Sequence, residues 1–138
     1  MAAGEVKNDD AMILVLKAGT TVTVGQVVHE ETDGKWDPGA SADGGPWAVA
    51  LDAAADTESF RAVKVGQVTV TYGGTNDCPI GGKLIICTQN TAAATDGLVG
   101  QVTHGGTLDT SDTVCGFAME LMDTSGTVYT MMVGLGGS

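Results

Sequence analysis

Residues 59–72, SFRAVKVGQVTVTY, constrain the fold more than any other stretch. They are rich in Val and Thr, and their side chains alternate as a pleated strand requires, which predicts a central β-strand. The alternation slips once: the apolar positions are odd before Gly66 (Val63, Val65) and even after it (Val68, Val70, Tyr72). One extra residue in a period of two is what a β-bulge or sharp bend inserts, and glycine tolerates that geometry. The same four letters, V-G-Q-V, recur at residues 24–27, 65–68 and 99–102. Three bent strands predict a curved, closing sheet.

Composition agrees with an all-β chain. Glycine supplies 21 of 138 residues, about twice its usual share. Leu, Glu, Lys and Arg are too sparse for amphipathic helices. A chain of this length is one domain able to bury roughly 70% of its unfolded surface. Residues 1–10 are polar, acidic and without periodicity, and read as a flexible N-terminal arm that orders only if something holds it. Residues 11–138 read as a single β domain.

Seventeen acidic and six basic side chains leave a net charge of −11. That excess disfavours nucleic acid and anionic membrane as partners. The imbalance is uneven, −8 over residues 1–60 and −3 over residues 61–138. No apolar run approaches the ~20 residues of a membrane span, and MAAGEVKNDD lacks the basic and apolar regions of a signal peptide. The expectation is a chain that stays in the cytoplasm until assembled. Cys78, Cys87 and Cys115 are an odd count without C-x-x-C, against both a disulfide framework and a zinc site. Cys87 and Cys115 read as small core hydrophobes.

Along the chain, residues 11–17, AMILVLK, form a short apolar run consistent with a strand covered on both faces. Residues 20–30 follow with alternating Val22 and Val24, and a hairpin through Ala18 and Gly19 would join the two. Residues 33–46, DGKWDPGASADGGP, read as a long surface loop. Within it Trp36 either folds back onto its own domain or contacts a partner. Residues 46–51 read as a strand beginning near Trp47, and residues 52–58 as a helical turn or two capped by Asp52. A turn over residues 73–79 leads to a strand with a buried run at residues 84–86. Polar loops at 89–97 and 103–113 flank the third V-G-Q-V.

The last two strands, residues 114–122 and 127–135, flank Asp123-Thr124-Ser125-Gly126, with the Asp-first, Gly-last signature of a type I turn. A two-residue loop pairs Met119 with Thr130 and Phe117 with Met132. A three-residue loop pairs Cys115 with Leu135, Phe117 with Val133, Met119 with Met131 and Leu121 with Tyr129. Only the second register makes one face wholly apolar, so it is the one expected.

Reactive constellations are weak. Gly81-Gly82-Lys83 resembles part of a phosphate loop, but Asp77 stands five residues before Gly82 and Leu84 where a magnesium-ligating Ser or Thr is required. His29 and His104 have no metal-recruiting spacing to the cysteines. His104, Asp109 and Ser111 lack the G-x-S-x-G elbow of a hydrolase. Adjacent carboxylates at Asp9-Asp10 and Glu30-Glu31 would point to opposite sides of a strand. Residues 109–112 lack the EF-hand pattern. No catalytic residue, metal site or cofactor is expected, and the chain does not read as an enzyme.

Three segments carry a resemblance: ALDAAADTESFRAVKVGQVTV (residues 50–70), IGGKLIIC (80–87) and GFAMELMDTSGTVYTMMVGL (116–135). Their rhythm of alanine-rich turn, glycine-interrupted Val strand, I-G-x-K-L strand and closing G-x-A-x-E hairpin resembles the small capsid decoration, or cement, proteins of tailed phages and related archaeal viruses. The likeness covers about residues 45–135. It departs at the acidic arm, the Gly-rich loop around Asp43 and the long loop at residues 103–113. It implies a compact β-barrel or β-tulip-like domain, a homotrimer seated on capsid symmetry axes, with the major capsid protein as partner. On that resemblance residues 1–17 and the loops bearing Trp36 and Asp43 meet the capsid or a sister subunit. The contact residues it implies are Glu5, Val6, Lys7, Ile13, Trp36, Asp43 and Trp47.

Overall fold

The structure is a computed structural model that describes residues 2–39, 45–74, 77–87, 100–104, 114–123 and 128–134. Its strands are β1 (Met12–Lys17), β2 (Val27–Glu30), β3 (Trp36–Pro38), β4 (Trp47–Ala50), β5 (Ser59–Thr71), β6 (Lys83–Ile86), β7 (Val102–His104), β8 (Val114–Ala118) and β9 (Val128–Val133), with no helix among the described residues. They form one curled antiparallel sheet, a half-barrel, in the order β3-β2-β4-β5-β9-β8-β6-β7, with β1 paired to β5 outside that path. A parallel bridge between Tyr72 and Val102 brings the far end of the sheet back to the end of β5.

β5 is the shared strand, and Gly66 is its corner. Residues up to Val65 pair with β4 and β1, while Gly66 to Thr71 pair with β9. Phe60 and Ala62 face a smaller cluster with Ala18, Val22, Val28, Trp36, Ala48, Ala50 and Ala54. Val63, Val68 and Val70 face the main core with Val27, Trp47, Val49, Leu84, Ile86, Met131 and Val133. The slip of one residue is what lets an odd and two even positions point into the same core. Gly66 sits at φ +143°, where a side chain is strained, and a Cβ there would lie 2.8 Å from the Cβ of Ala11.

The other two V-G-Q-V glycines also need positive φ, +86° at Gly25 and +76° at Gly100. They are not bends within strands, however. Each turns the chain just before a strand, β2 and β7, and the two turns pack together, with Gln26 filling the space where a Cβ on Gly100 would sit. One strand is kinked rather than three.

Three further expectations are corrected. β1 does not form a hairpin with the segment after it, because Ala18 bridges in parallel to Trp36 and Gly19 N–H donates to the Trp36 carbonyl at 3.0 Å, which carries the chain across the sheet instead of back. The loop at residues 33–46 contains β3, paired to β2, where Trp36 buries its ring under the smaller cluster. Residues 52–58 are not helical: Val22 and Ala54 exchange both backbone hydrogen bonds, at 2.8 and 2.9 Å, and the pairing outweighs a short alanine run's helix preference.

Asp52 is not a helix cap. It takes the Arg61 backbone N–H at 2.9 Å, Nε at 3.0 Å and Nη2 at 2.8 Å. Those hydrogen bonds and the guanidinium charge hold its pKa down at about 2, from an ordinary 3.8. A carboxylate depressed in this way contributes stability above pH 3.8 and loses it as pH falls toward about 2. The pair is exposed, so solvent screening keeps the effect on folding small. In an Arg61→Ala variant, the Asp52 midpoint measured by NMR titration is expected to rise from about 2 toward 3.8. An unmoved midpoint contradicts the assignment.

The C-terminal hairpin adopts the register not expected from its apolar alternation. Gly116 pairs with Val133, Phe117 with Met132 and Ala118 with Met131, and Met119 N–H donates to the Thr130 carbonyl at 3.0 Å. The reason is volume. A Cβ on Gly116 would lie 2.6 Å from Met131 Sδ, so the core here is filled by Met131 and Val133 against Gly116 and Ala118. Phe117, Met119 and Leu121 facing in would overpack the same space. Cys115 is still buried, because the β6–β8 register shifts between Leu84 and Ile85. The Glu120 carboxylate accepts the Thr130 N–H at 2.8 Å where the ladder ends. Residues 124–126 of the expected turn, and Leu135, lie outside the described residues.

Candidate functional site

Residues 2–17 run antiparallel beside β5 from Ser59 to Thr69. Gly4 N–H donates to the Thr69 carbonyl at 2.8 Å, Thr69 N–H to the Glu5 carbonyl at 2.9 Å and Lys7 N–H to the Gln67 carbonyl at 2.8 Å. The Asn8 side chain accepts the Gln67 N–H at 2.8 Å beside the Gly66 corner. β1 then continues from Met12, opposite Val65, to Lys17, opposite Ser59. The segment expected to order only when held is thus held by β5.

The opposite side of β5 is taken by β4 and β9, since Val63 pairs with both Ile13 and Val49 and Val68 with both Val6 and Met131. Residues 2–17 therefore form an edge, and no further strand pairs with its outer side among the described residues. Val6, Met12, Ile13, Leu14 and Val15 are all exposed there, Val15 at 72%. Coverage of residues 11–17 on both faces, expected from the unbroken apolar run, is not what the protomer shows: Met12 to Val15 are exposed, while Ala11 and Leu16 pack partly against the two core clusters. Proteins protect such edges with charge, proline or a cover, and MILVL carries none of these.

This edge also differs in charge from the rest of the molecule. Lys7, Lys17, Arg61 and Lys64, four of the six bases, lie on residues 2–17 and 59–71 against three acids, Glu5, Asp9 and Asp10. Asp52 pairs with Arg61 at 2.8 Å, so with it the edge is neutral in a chain of −11.

A second apolar surface follows from the hairpin register. With Gly116 and Ala118 turned inward, β8 and its continuation present Phe117, Met119 and Leu121 outward, beside half-buried Met132 on β9, and Leu121 is 51% exposed. Ile80, exposed at the tip of a turn closed by Gly82 N–H to the Pro79 carbonyl at 2.9 Å, belongs to the segment that bridges to Met122 through Cys78. Residues 77–83 and 114–123 carry Asp77, Glu120 and Asp123 against Lys83, a net −2.

Of the other contact residues expected, Trp36 and Trp47 are 6% and 1% exposed and belong to the two core clusters. Asp43 lies outside the described residues. Glu5, Val6, Lys7 and Ile13 are on the open edge. Met12, Leu14, Val15, Phe117, Met119 and Leu121 were legible only as strand residues, because an apolar run reads the same whether its own domain or another chain covers it.

The reactive side chains are placed for packing. His29 is buried in a cross-strand row with Asp37 and Trp47, its Nε2 3.3 Å from Glu31 Oε1. All three cysteines are buried. Burial pushes the Cys78 thiol up to about 11 and the Cys115 thiol higher still, which keeps them protonated and poor nucleophiles. Tyr72 rises to about 12 for the same reason. No group of three or more His, Cys, Asp or Glu could hold a metal among the described residues. Asp109 and Ser111 lie outside them. A shallow groove of about 290 Å³ beside the Val22–Ala54 bridge is lined by Thr21, Thr23, alanines and Glu58, whose carboxylate accepts the Ala55 N–H at 2.7 Å rather than facing a second acid or base.

Comparison with solved structures finds the crystal structure of the head fiber gp8.5 N base in bacteriophage phi29, with a TM-score of 0.56 and 17% identity over 88% of this chain and 92% of that one. The likeness is one of fold. No family model and no curated protein matches the chain. The fold likeness spans nearly all of both chains, so the half-barrel with its shared, kinked β5 is the unit compared.

Proposed function

We propose that this protein is a structural subunit of a virion, bound to the outer surface of the capsid and acting without chemistry. In this reading it sits as a homotrimer on symmetry axes, assembles in the host cytoplasm and clamps neighbouring major capsid subunits. The observation that carries the proposal is the fold shared with a phage head fiber base across 88% of the chain. The capsid-decoration rhythm of residues 50–70, 80–87 and 116–135 supports it independently. So does the open edge of residues 2–17, since a strand edge with exposed apolar side chains takes up another chain by main-chain hydrogen bonds. Three joined copies also make weak single contacts effective, because the second and third become intramolecular. Nucleic acid and membrane are not partners in this reading, given the charge of −11.

Co-sedimentation tests it. Incubated with assembled shells of the major capsid protein, the protein is expected to pellet saturably. Protein that stays in the supernatant at every concentration contradicts the proposal, and open-ended polymers without shells favour a tail or surface-layer subunit instead.

A further inference from the structure

We infer that the open edge pairs with the same edge of a second copy: β1 of one chain lies antiparallel to β1 of the other about a two-fold axis, continuing the sheet from copy to copy. The inference goes beyond the proposed function and needs neither its shell nor its trimer. A two-fold contact pairs copies in twos, so on a shell it joins neighbouring trimers.

The backbone of β1 has hydrogen-bonding groups to offer. Arg61, opposite Val15, donates its N–H to Asp52 at 2.9 Å, and its carbonyl accepts the Leu51 N–H at 2.8 Å. Opposite residues of an antiparallel ladder exchange both bonds or neither, so the N–H and carbonyl of Val15 turn away from β5. Two residues earlier in the same register, those of Ile13 turn the same way. Neither residue has a backbone partner on that outer side among the described residues. The free length ends at Ala18, where the bridge to Trp36 begins. A two-fold axis at Leu14 sets Val15 of each copy opposite Ile13 of the other, and these groups then satisfy one another. It also sets Leu14 against Leu14 and Met12 against Leu16, so the exposed apolar side chains meet on both faces of the extended sheet.

Charge along the strand selects a second copy as the occupant. Asp9 and Asp10 precede the apolar run and Lys17 ends it, and all three are exposed with no ion pair among the described residues. An antiparallel copy brings Lys17 of each chain to the Asp9 and Asp10 end of the other, whereas a parallel copy sets lysine beside lysine. Glu58, next to the Ser59 that faces Lys17, turns its carboxylate to the Ala55 N–H at 2.7 Å. The edge is also neutral in a chain of −11, so two copies approach there against the least repulsion.

Charge reversal tests the pairing. Lys17→Asp reverses one end of the edge, and Asp9→Lys with Asp10→Lys reverses the other. Circular dichroism checks that both variants fold. Wild type is expected to associate reversibly as its concentration rises in sedimentation velocity. Each variant alone is expected to associate roughly tenfold more weakly or worse, because like charges then meet at both ends. The lysine variant brings the chain closer to neutral, so a general easing of repulsion would tighten it where edge pairing weakens it. Mixed one to one, the reversed end of each variant meets the reversed end of the other and the native ends meet as before, so the mixture is expected to associate as tightly as wild type. Val15→Lys, which places a guard charge on the edge at a side chain 72% exposed, is expected to abolish association. Wild-type sedimentation that does not change with concentration overturns the pairing. Variants that associate like wild type, or a mixture no tighter than its parts, overturn it as well.

Discussion

Gly66→Ala is expected to lower stability by about 3 kcal/mol and the melting midpoint by roughly 10 °C. Two effects add. Alanine at φ +143° is strained, and its Cβ meets the Ala11 Cβ at 2.8 Å and Cα at 2.9 Å, where the N-terminal segment crosses the corner of β5. They are separable. Ala11→Gly in the same background removes the closest contact but not the backbone strain, so the double variant is expected to recover part of the loss. Full recovery would mean that φ contributes nothing, and an unchanged melting midpoint in Gly66→Ala would mean that the corner does not require glycine.

The corner was legible in the sequence because a strand's period is rigid: Val63 and Val68 cannot face one core unless a residue is inserted between them. Composition carried the all-β class for a similar reason, since few helix formers leave no amphipathic stripe. The buried run at residues 84–86 was legible too, being apolar without a break. What the sequence hid depends on the distance between surfaces. Whether Phe117 or Gly116 points inward turns on the room left by Met131, a residue on another strand. Whether MILVL is covered turns on what lies beyond β5, which no local pattern encodes. Residues 52–58 were misread because helix preference in a short alanine run is weaker than one antiparallel pairing with Val22.

Gly116→Val is expected to cost about 3 kcal/mol, with the denaturation midpoint in urea falling and the slope unchanged. Its Cβ would lie 2.6 Å from both Met131 Sδ and the Met132 carbonyl oxygen. A methionine side chain can swing aside. The carbonyl belongs to the partner strand, so relief there requires opening the β8–β9 ladder. Phe117→Ala, on the outer face, is expected to cost under about 1 kcal/mol in the monomer despite removing a ring. The opposite ranking, with Phe117→Ala the more damaging, would restore the register that places Phe117, Met119 and Leu121 inside.

In the proposed assembly the exposed apolar surfaces are covered by other chains on a virus shell. Electron cryomicroscopy of particles assembled with and without this protein compares the two cases directly. Three-lobed density on the outside of the shell over its symmetry axes, present only when the protein is added and with residues 2–17 buried against another chain, is the predicted result. Identical maps, or extra density confined to the tail or the interior, would contradict it.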